Sequence, residues 1–353
     1  MYITSLATGH PPHRYDQEQL LEAIKRMWMN THHNPRRVEQ LHRAVQVKER
    51  FLALPMDAYE NLSGFTESND HFIQVGTDVA ADVVSRALVD ANLSATDVDA
   101  IFFVSVTGVA TPSIDAKLCN RLGFRPDIKR IPIFGLGCVA GAAGMARVYD
   151  YLKAYPEHVA LLVSVELCSL TLQPQDLSIA NLIASGLFGD GAACVVGVGA
   201  AKAASLSLNA VQIQTSRSRF YPDTEDVMGW SIGSNGFRVI LQARVPQLAE
   251  TYLQDDVDQF LNASNLSRKD ISQWVCHTGG PKVLNAFQNA LELPKDALSL
   301  SWESLRTVGN LSSASVLYVL KDTIEKSAPQ NGEYGLLLAM GPGFCCEMVL
   351  LQW

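Results

Sequence analysis

Three residues, Cys138, His277 and Asn310, are placed where side chains do chemistry. Cys138 follows Gly135-Leu136-Gly137, a tight turn between an apolar strand read over Arg130 to Phe134 and a helix read over Val139 to Tyr151. Glycines on such a strand-to-helix elbow permit backbone angles that other residues avoid. A helix N-terminus is expected to lower a thiol's pKa from about 8.5 toward neutrality. His277 closes the apolar run Trp274-Val275-Cys276 and precedes Thr278-Gly279-Gly280-Pro281. It is the one histidine of eight at an apolar strand end before a glycine turn. Asn310 follows Gly309 at a helix start, where Asn also serves as an N-cap. A thiolate can take an acyl group as a thioester. An imidazole N–H and a carboxamide can hold an enolate oxygen developing on a second thioester. An inert buried thiol, a core histidine and a simple cap are the competing structural readings.

The elements that must position these residues come twice. Asn92-Leu93-Ser94-Ala95-Thr96-Asp97-Val98 matches Asn265-Leu266-Ser267-Arg268-Lys269-Asp270-Ile271. An amphipathic helix precedes each copy, roughly Val75 to Ala91 and Leu248 to Ser264. A strand follows each, Ala100 to Val106 and Gln273 to Cys276, then Thr107-Gly108 and Thr278-Gly279. Further on, the segment from Gly137-Cys138 parallels Gly309-Asn310, and Gly189-Asp190-Gly191 parallels Gly341-Pro342-Gly343. The first half carries an insertion of about 20 residues between Glu166 and Gly189, the kind of excursion that often covers a site. Repetition of this kind implies an α/β fold of two similar halves. A pseudo-two-fold axis would bring Cys138 and Asn310 to one cavity. The halves are placed at residues 1–208 and 209–353.

Composition agrees with a globular chain: 353 residues, 48% hydrophobic and 18% charged. A net charge of −8 argues against nucleic acid and acidic membranes as partners. Seven cysteines without a C-x-x-C pair argue against a disulfide framework or a zinc ribbon. Met1 to Arg14 lacks the basic and apolar regions of a signal peptide, and no apolar run is long enough to span a membrane. A cytoplasmic, reducing setting, no stable membrane insertion and no cofactor are expected.

The segments Gly135 to Gly141, Leu187 to Ala193, His277 to Pro281, Gly309 to Ala314 and Met340 to Phe344, in this order, resemble the type III polyketide synthases, the chalcone synthase-like superfamily. The segment Ile232 to Leu241 and the compact length look like the bacterial alkylpyrone and alkylresorcinol branch. The resemblance implies a thiolase-like fold with layers α-β-α-β-α, a homodimer, and CoA thioesters as substrates. It implies that Cys138 takes an acyl-CoA and that His277 and Asn310 support decarboxylative extension with malonyl-CoA. Phe188 and Phe237 map to two gatekeeping aromatics, although spacing alone would read both as core. Gly341, Pro342 and Gly343 map to a cavity floor. Thr107, Cys168, Thr171, Gly279, Gly280 and Ser312 fall on segments that line the cavity. Thr111, before Pro112, maps to a residue that enters the partner subunit's cavity.

CoA recognition is expected from an early basic helix. Arg36, Arg37, Arg43, Lys48 and Arg50 are the candidates, and a solvated basic face accounts for them equally well. Gln40 and Ala44 stand where the family often has a basic residue. Small side chains at Thr107, Cys168 and Thr171 point to a medium- or long-chain acyl-CoA starter released as an alkylpyrone, with Leu172 bulkier than a deep tunnel would prefer. A ketoacyl-ACP synthase III-like condensing enzyme and an acyl-CoA cysteine hydrolase use the same covalent chemistry and are the alternatives.

Overall fold

The computed structural model describes residues 1–28, 34–206 and 210–353. The 208/209 boundary lies outside the described residues. The first half contains β1 (Tyr2–Gly9), β2 (His13–Asp16), α1 (Gln17–Trp28), α2 (Pro35–Ala44), β3 (Glu49–Leu52) and α3 (Phe65–Asp90). It continues with β4 (Ala100–Val104), α4 (Ile114–Leu122), β5 (Lys129–Ile133), α5 (Ala140–Ala154), β6 (Val159–Leu167), α6 (Ile179–Leu187), β7 (Asp190–Val198) and α7 (Ala200–Leu206). The second half contains β8 (Val211–Phe220), β9 (Met228–Gly233), β10 (Gly236–Leu241), α8 (Val245–Asn262), β11 (Ile271–Cys276) and α9 (Pro281–Ala290). It ends with α10 (Ser299–Val308), α11 (Ser315–Asp322), β12 (Tyr334–Gly341) and β13 (Cys345–Gln352).

Strand order shows the duplication. The long sheet runs β11-β12-β13-β8-β1-β7-β6-β4-β5. Outward from the β1–β8 junction, β1-β7-β6-β4 on one side repeats as β8-β13-β12-β11 on the other, and β5 is the added edge. The matched turns agree in detail. Asn92 and Asn265 both have left-handed backbone, φ 53° and 57°. Ser94 with Asp97 and Ser267 with Asp270 form the same reciprocal cap.

Side-chain alternation along the strands builds the layers. In β4, Ile101 and Phe103 face the core beneath α3, whereas Ala100, Phe102 and Val104 face the core around α5 and α11. In β12, Leu337 and Ala339 join that same central core, and Leu336, Leu338 and Met340 face α8 and α9. Strands apolar on both faces have to be covered on both. The outcome is helix, sheet, central helix pair, sheet, helix: the expected five-layer, thiolase-like α/β arrangement. The insertion after Glu166 folds as a short turn and α6. Among its side chains, Leu182 shares an apolar cluster with Leu21, Ile24 and Trp28 of α1 and Val38 of α2.

Candidate active site

The turn carrying Cys138 is built from glycines that have work to do. Gly135 and Gly137 take φ of 96° and 56°, which a side chain would oppose. A β-carbon on Gly137 would stand 2.6 Å from the Pro342 ring. One on Gly341 would stand 2.7 Å from the Val139 nitrogen and 2.9 Å from the Leu136 oxygen. The Gly341-Pro342-Gly343 turn therefore presses directly on the elbow and holds the cysteine from below.

Cys138 Sγ lies 3.7 Å from Ser312 Oγ. Ser312, at φ 48°, donates its N–H to Asn310 Oδ1 at 2.8 Å, and the Ser315 hydroxyl reaches the same oxygen at 3.4 Å. Two donors on Oδ1 orient the amide and leave Nδ2 as the free donor. The two central helices thus bring Cys138, Ser312 and Asn310 together. His277 sits at the end of β11, its N–H on the Leu338 carbonyl at 2.9 Å and its carbonyl accepting from Gly279 at 3.0 Å. Neither ring nitrogen has a partner among the described residues, and the residue is only 3% exposed. Buried imidazole nitrogens without partners cost free energy unless a ligand takes them. Gly280, at φ 118°, opens α9 against the Leu187 side chain.

Burial sets the charges. The Cys138 thiol is pushed up to about 12 by desolvation, against which the Ser312 hydroxyl bond works. This corrects the expectation of a thiol near neutrality: desolvation dominates, no cation among the described residues offsets it, and burial outweighs the helix end. His277 is pulled down to about 4 by burial, so its imidazole is neutral at pH 7. The resting pair is thiol and neutral imidazole.

A buried carboxylate escaped the sequence reading. Glu166, fully buried, accepts from Val106 N–H at 3.1 Å and Thr107 Oγ1 at 2.8 Å, and from the Ser313 hydroxyl. It ties the loop after β4 to the start of the second central helix, and burial raises its pKa. Its sequence position, the last polar residue of an apolar strand, offered no sign of partners about 60 and 147 positions away. Trp230 was missed as well. It stands 6.5 Å from Phe188 and 6.0 Å from Phe237, ring centre to ring centre, and links both aromatics into one wall.

Two cavities adjoin this wall. One, about 70 Å³, is lined by Cys168, Thr171 and Phe188 with apolar residues of α1. The other, about 680 Å³, is lined by Thr107, Phe65 and Phe237 with amides and hydroxyls such as Asn69, Gln173 and Asn235. Leu172, Met27, Tyr59 and Glu60 border both. Neither is walled by Cys138, His277 or Asn310, so these cavities lie apart from those three side chains. Thr111 is exposed on its loop and lines neither.

The basic candidates separate. Arg36, Arg37, Arg43 and Lys48 are exposed, and Arg43 is ion-paired with Glu39 at 2.8 Å. None lines either cavity. Arg50 is only 3% exposed. It alternates inward on β3 and cannot belong to a solvent-facing CoA patch. Among the described residues, no group of three His, Cys, Asp or Glu side chains is arranged to hold a metal ion, and no helix is long and apolar enough to cross a membrane.

The chain matches two family descriptions end to end: chalcone and stilbene synthases, N-terminal domain, over residues 1–201, and chalcone and stilbene synthases, C-terminal domain, over residues 212–353. It belongs to the type III polyketide synthases. A 1,3,6,8-tetrahydroxynaphthalene synthase of Streptomyces peucetius subsp. caesius is 49% identical over 351 residues, 99% of this chain and 93% of that protein. A putative chalcone synthase of Bacillus subtilis is 38% identical, covering 100% of this chain and 98% of the relative. The crystal structure of 1,3,6,8-tetrahydroxynaphthalene synthase from Streptomyces coelicolor A3(2) superposes with a TM-score of 0.93 at 33% identity, covering 100% and 99% of the two chains. This type III polyketide synthase is thus an acyl-transferring enzyme of decarboxylative condensation, and the thiolase-like fold expected for it is the one observed.

Proposed function

We propose that this polyketide synthase assembles a small polyhydroxylated aromatic compound from malonyl units on Cys138. The steps follow from the residues. The Cys138 proton passes to neutral His277 as sulfur attacks the CoA thioester, and CoA leaves as the thiol. A malonyl thioester then loses carbon dioxide, and its enolate oxygen is held by a His277 N–H and Asn310 Nδ2. The enolate carbon attacks the acyl-Cys138 carbonyl, a carbon–carbon bond forms, and the cysteine thiolate departs.

The observation that carries the product class is the partition of space. The cavity beside Cys168 and Thr171, about 70 Å³, has room for a few water molecules rather than a long acyl tail. The cavity of about 680 Å³ carries hydroxyl and amide groups that suit a chain with an oxygen on every second carbon. Hydroxyls on alternate ring carbons, as in the compound for which the S. peucetius relative is named, are what head-to-tail two-carbon units leave after aromatisation. A second reading keeps the medium- or long-chain acyl-CoA starter and an alkylpyrone product. Leu20, Ala23, Ile24 and Met27, all apolar around the smaller cavity, support it.

A homodimer in a reducing, cytoplasmic setting completes the proposal. β5 is the last strand of the sheet, its outer edge unpaired, and unpaired edges recruit another strand or are guarded. The exposed Thr111 loop is free to enter a neighbouring subunit. All seven cysteines are free thiols.

Mass spectrometry of products tests the reading. Malonyl-CoA alone should yield an aromatic polyketide, and Asn310→Ala should lower malonyl-CoA decarboxylation by about 100- to 1000-fold. No product without lauroyl- or palmitoyl-CoA, and alkylpyrones with it, would establish the second reading instead.

A further inference from the structure

We infer that Arg50 is a positioning residue for decarboxylation: one buried guanidinium sets both Phe188 and Asn310. The inference rests on the roles proposed above for those two residues.

Arg50 lies on β3, paired with Tyr15 of β2. Its Nη1 donates to the Ser185 carbonyl at 2.8 Å and to the Phe188 carbonyl at 2.7 Å. These carbonyls close α6, where a cation also meets the negative end of the helix. The stem reaches the other residue. A β-carbon on Gly309 would stand 3.1 Å from Arg50 Cδ, 3.2 Å from its Cγ and 2.7 Å from the Leu187 carbonyl oxygen. Gly309, at φ 75°, immediately precedes Asn310.

Between these two grips runs a short bridge. Asn310 N–H donates to the Leu187 carbonyl at 2.9 Å, and Gly189 N–H donates to the Asn310 carbonyl at 3.0 Å. The segment Leu187 to Gly189 is therefore tied on one side to Asn310 and on the other to Arg50. Phe188, the aromatic facing Trp230, is the residue in the middle.

The arrangement is an expensive way to cap a helix. Among the described residues Arg50 forms no ion pair, although the buried Asp190 charge is near enough to favour the cation, and its Nε has no partner. Burying a cation this way costs several kcal/mol. Water, or a neutral donor, would satisfy two carbonyls at lower cost. A guanidinium anchored from a third element, with its Nη1 shared by both carbonyls and its stem against Gly309, gives what those do not, a fixed position for the bridge. Cys138 is not held by this clamp; Pro342 and Gly341 brace its turn. Disturbing Arg50 should therefore affect decarboxylation and spare acyl loading.

The test compares Arg50→Lys with wild type in two assays: the rate of Cys138 acylation by intact mass, and kcat and KM for malonyl-CoA decarboxylation. The expected result is a decarboxylation kcat lower by about ten- to a hundredfold, as for a displaced catalytic group, with KM and acylation within about twofold. Val84→Ala, a buried residue of α3, serves as a destabilised control and should keep its kcat. Should Arg50→Lys not fold, Gly309→Ala, which wedges the Arg50 stem from the Leu187 carbonyl, is measured in its place with the same expectation. Equal losses of acylation and decarboxylation, or no loss of either, would overturn the clamp. Asn310→Ala separates the two layers of the argument. If it leaves decarboxylation intact, the role of Asn310 is wrong; if it abolishes decarboxylation while the clamp variants do not, Arg50 is a helix cap and nothing more.

Discussion

Gly141 and Ser313 meet across the molecule's internal two-fold: a β-carbon on Gly141 would overlap the Ser313 carbonyl oxygen and lie 2.8 Å from Val316 Cγ1. The central helices of the two halves approach here with nothing between them. Gly141→Ala should cost about 1–3 kcal/mol by overpacking, read as a lower midpoint in urea. A midpoint equal to wild type would mean that the helices part without cost. The same wedge should move Ser312 from Cys138 and slow acylation.

Cys138 should behave as a high-pKa thiol. With burial pushing it up to about 12, its alkylation by iodoacetamide should rise about tenfold per pH unit from pH 7 to 10, because only the thiolate reacts. Peptide mapping isolates this cysteine from the other six. A plateau near pH 7 would show that the helix end prevails over desolvation.

Leu172, like Met27, Tyr59 and Glu60, borders both cavities. Leu172→Ala should join them and admit a longer tail, each buried methylene contributing about 0.8 kcal/mol. The expected outcome is a rise of at least about tenfold in kcat/KM for lauroyl-CoA relative to acetyl-CoA. If the ratio does not change, the acyl chain runs elsewhere. Cys168→Phe should then be tested for any effect on starter choice.

Acid should unfold the protein partly through His277. Burial lowers its folded pKa to about 4, below the unfolded value of about 6.5. The unfolded chain therefore binds the proton first as pH falls. The stabilisation is complete above pH 6.5 and is lost as pH drops through 4. At about 1.4 kcal/mol per pH unit, the interval amounts to about 3 kcal/mol. His42, lowered to about 3 by burial and the nearby Arg50 charge, adds in the same direction. Urea unfolding between pH 7 and 4 should show a smaller loss in His277→Gln than in wild type. Equal slopes would mean that His277 is hydrated in the folded state.

Much of this was local enough to read from the chain. The Asn-Leu-Ser-x-x-Asp repeats announce the same turn twice, because a left-handed Asn and a Ser–Asp cap are decided within six residues. Apolar runs and glycine punctuation marked β4, β11 and the elbow at Cys138, and the doubling of those signals implied two halves meeting at Cys138 and Asn310. Strand ends drifted by a residue or two, and α3 begins ten residues before the expected Val75, because helix starts depend on what caps and covers them.

What the sequence by itself determined, then, was the repeated architecture and which residues stand on its glycine turns, since backbone preference and periodicity act between near neighbours. Tertiary structure alone decided their surroundings. Arg50 reads as one more basic residue near Lys48, yet Lys48 precedes β3 and is exposed, whereas the inward face of that four-residue strand buries Arg50. Thr107 reads as a small cavity residue, yet its hydroxyl is engaged by Glu166, 59 positions away. The thiol of Cys138 reads as activated by its helix, yet enclosure by the second half raises its pKa. Charge, solvation and cavity shape are sums over neighbours brought from every part of the chain, and only the packed molecule supplies them.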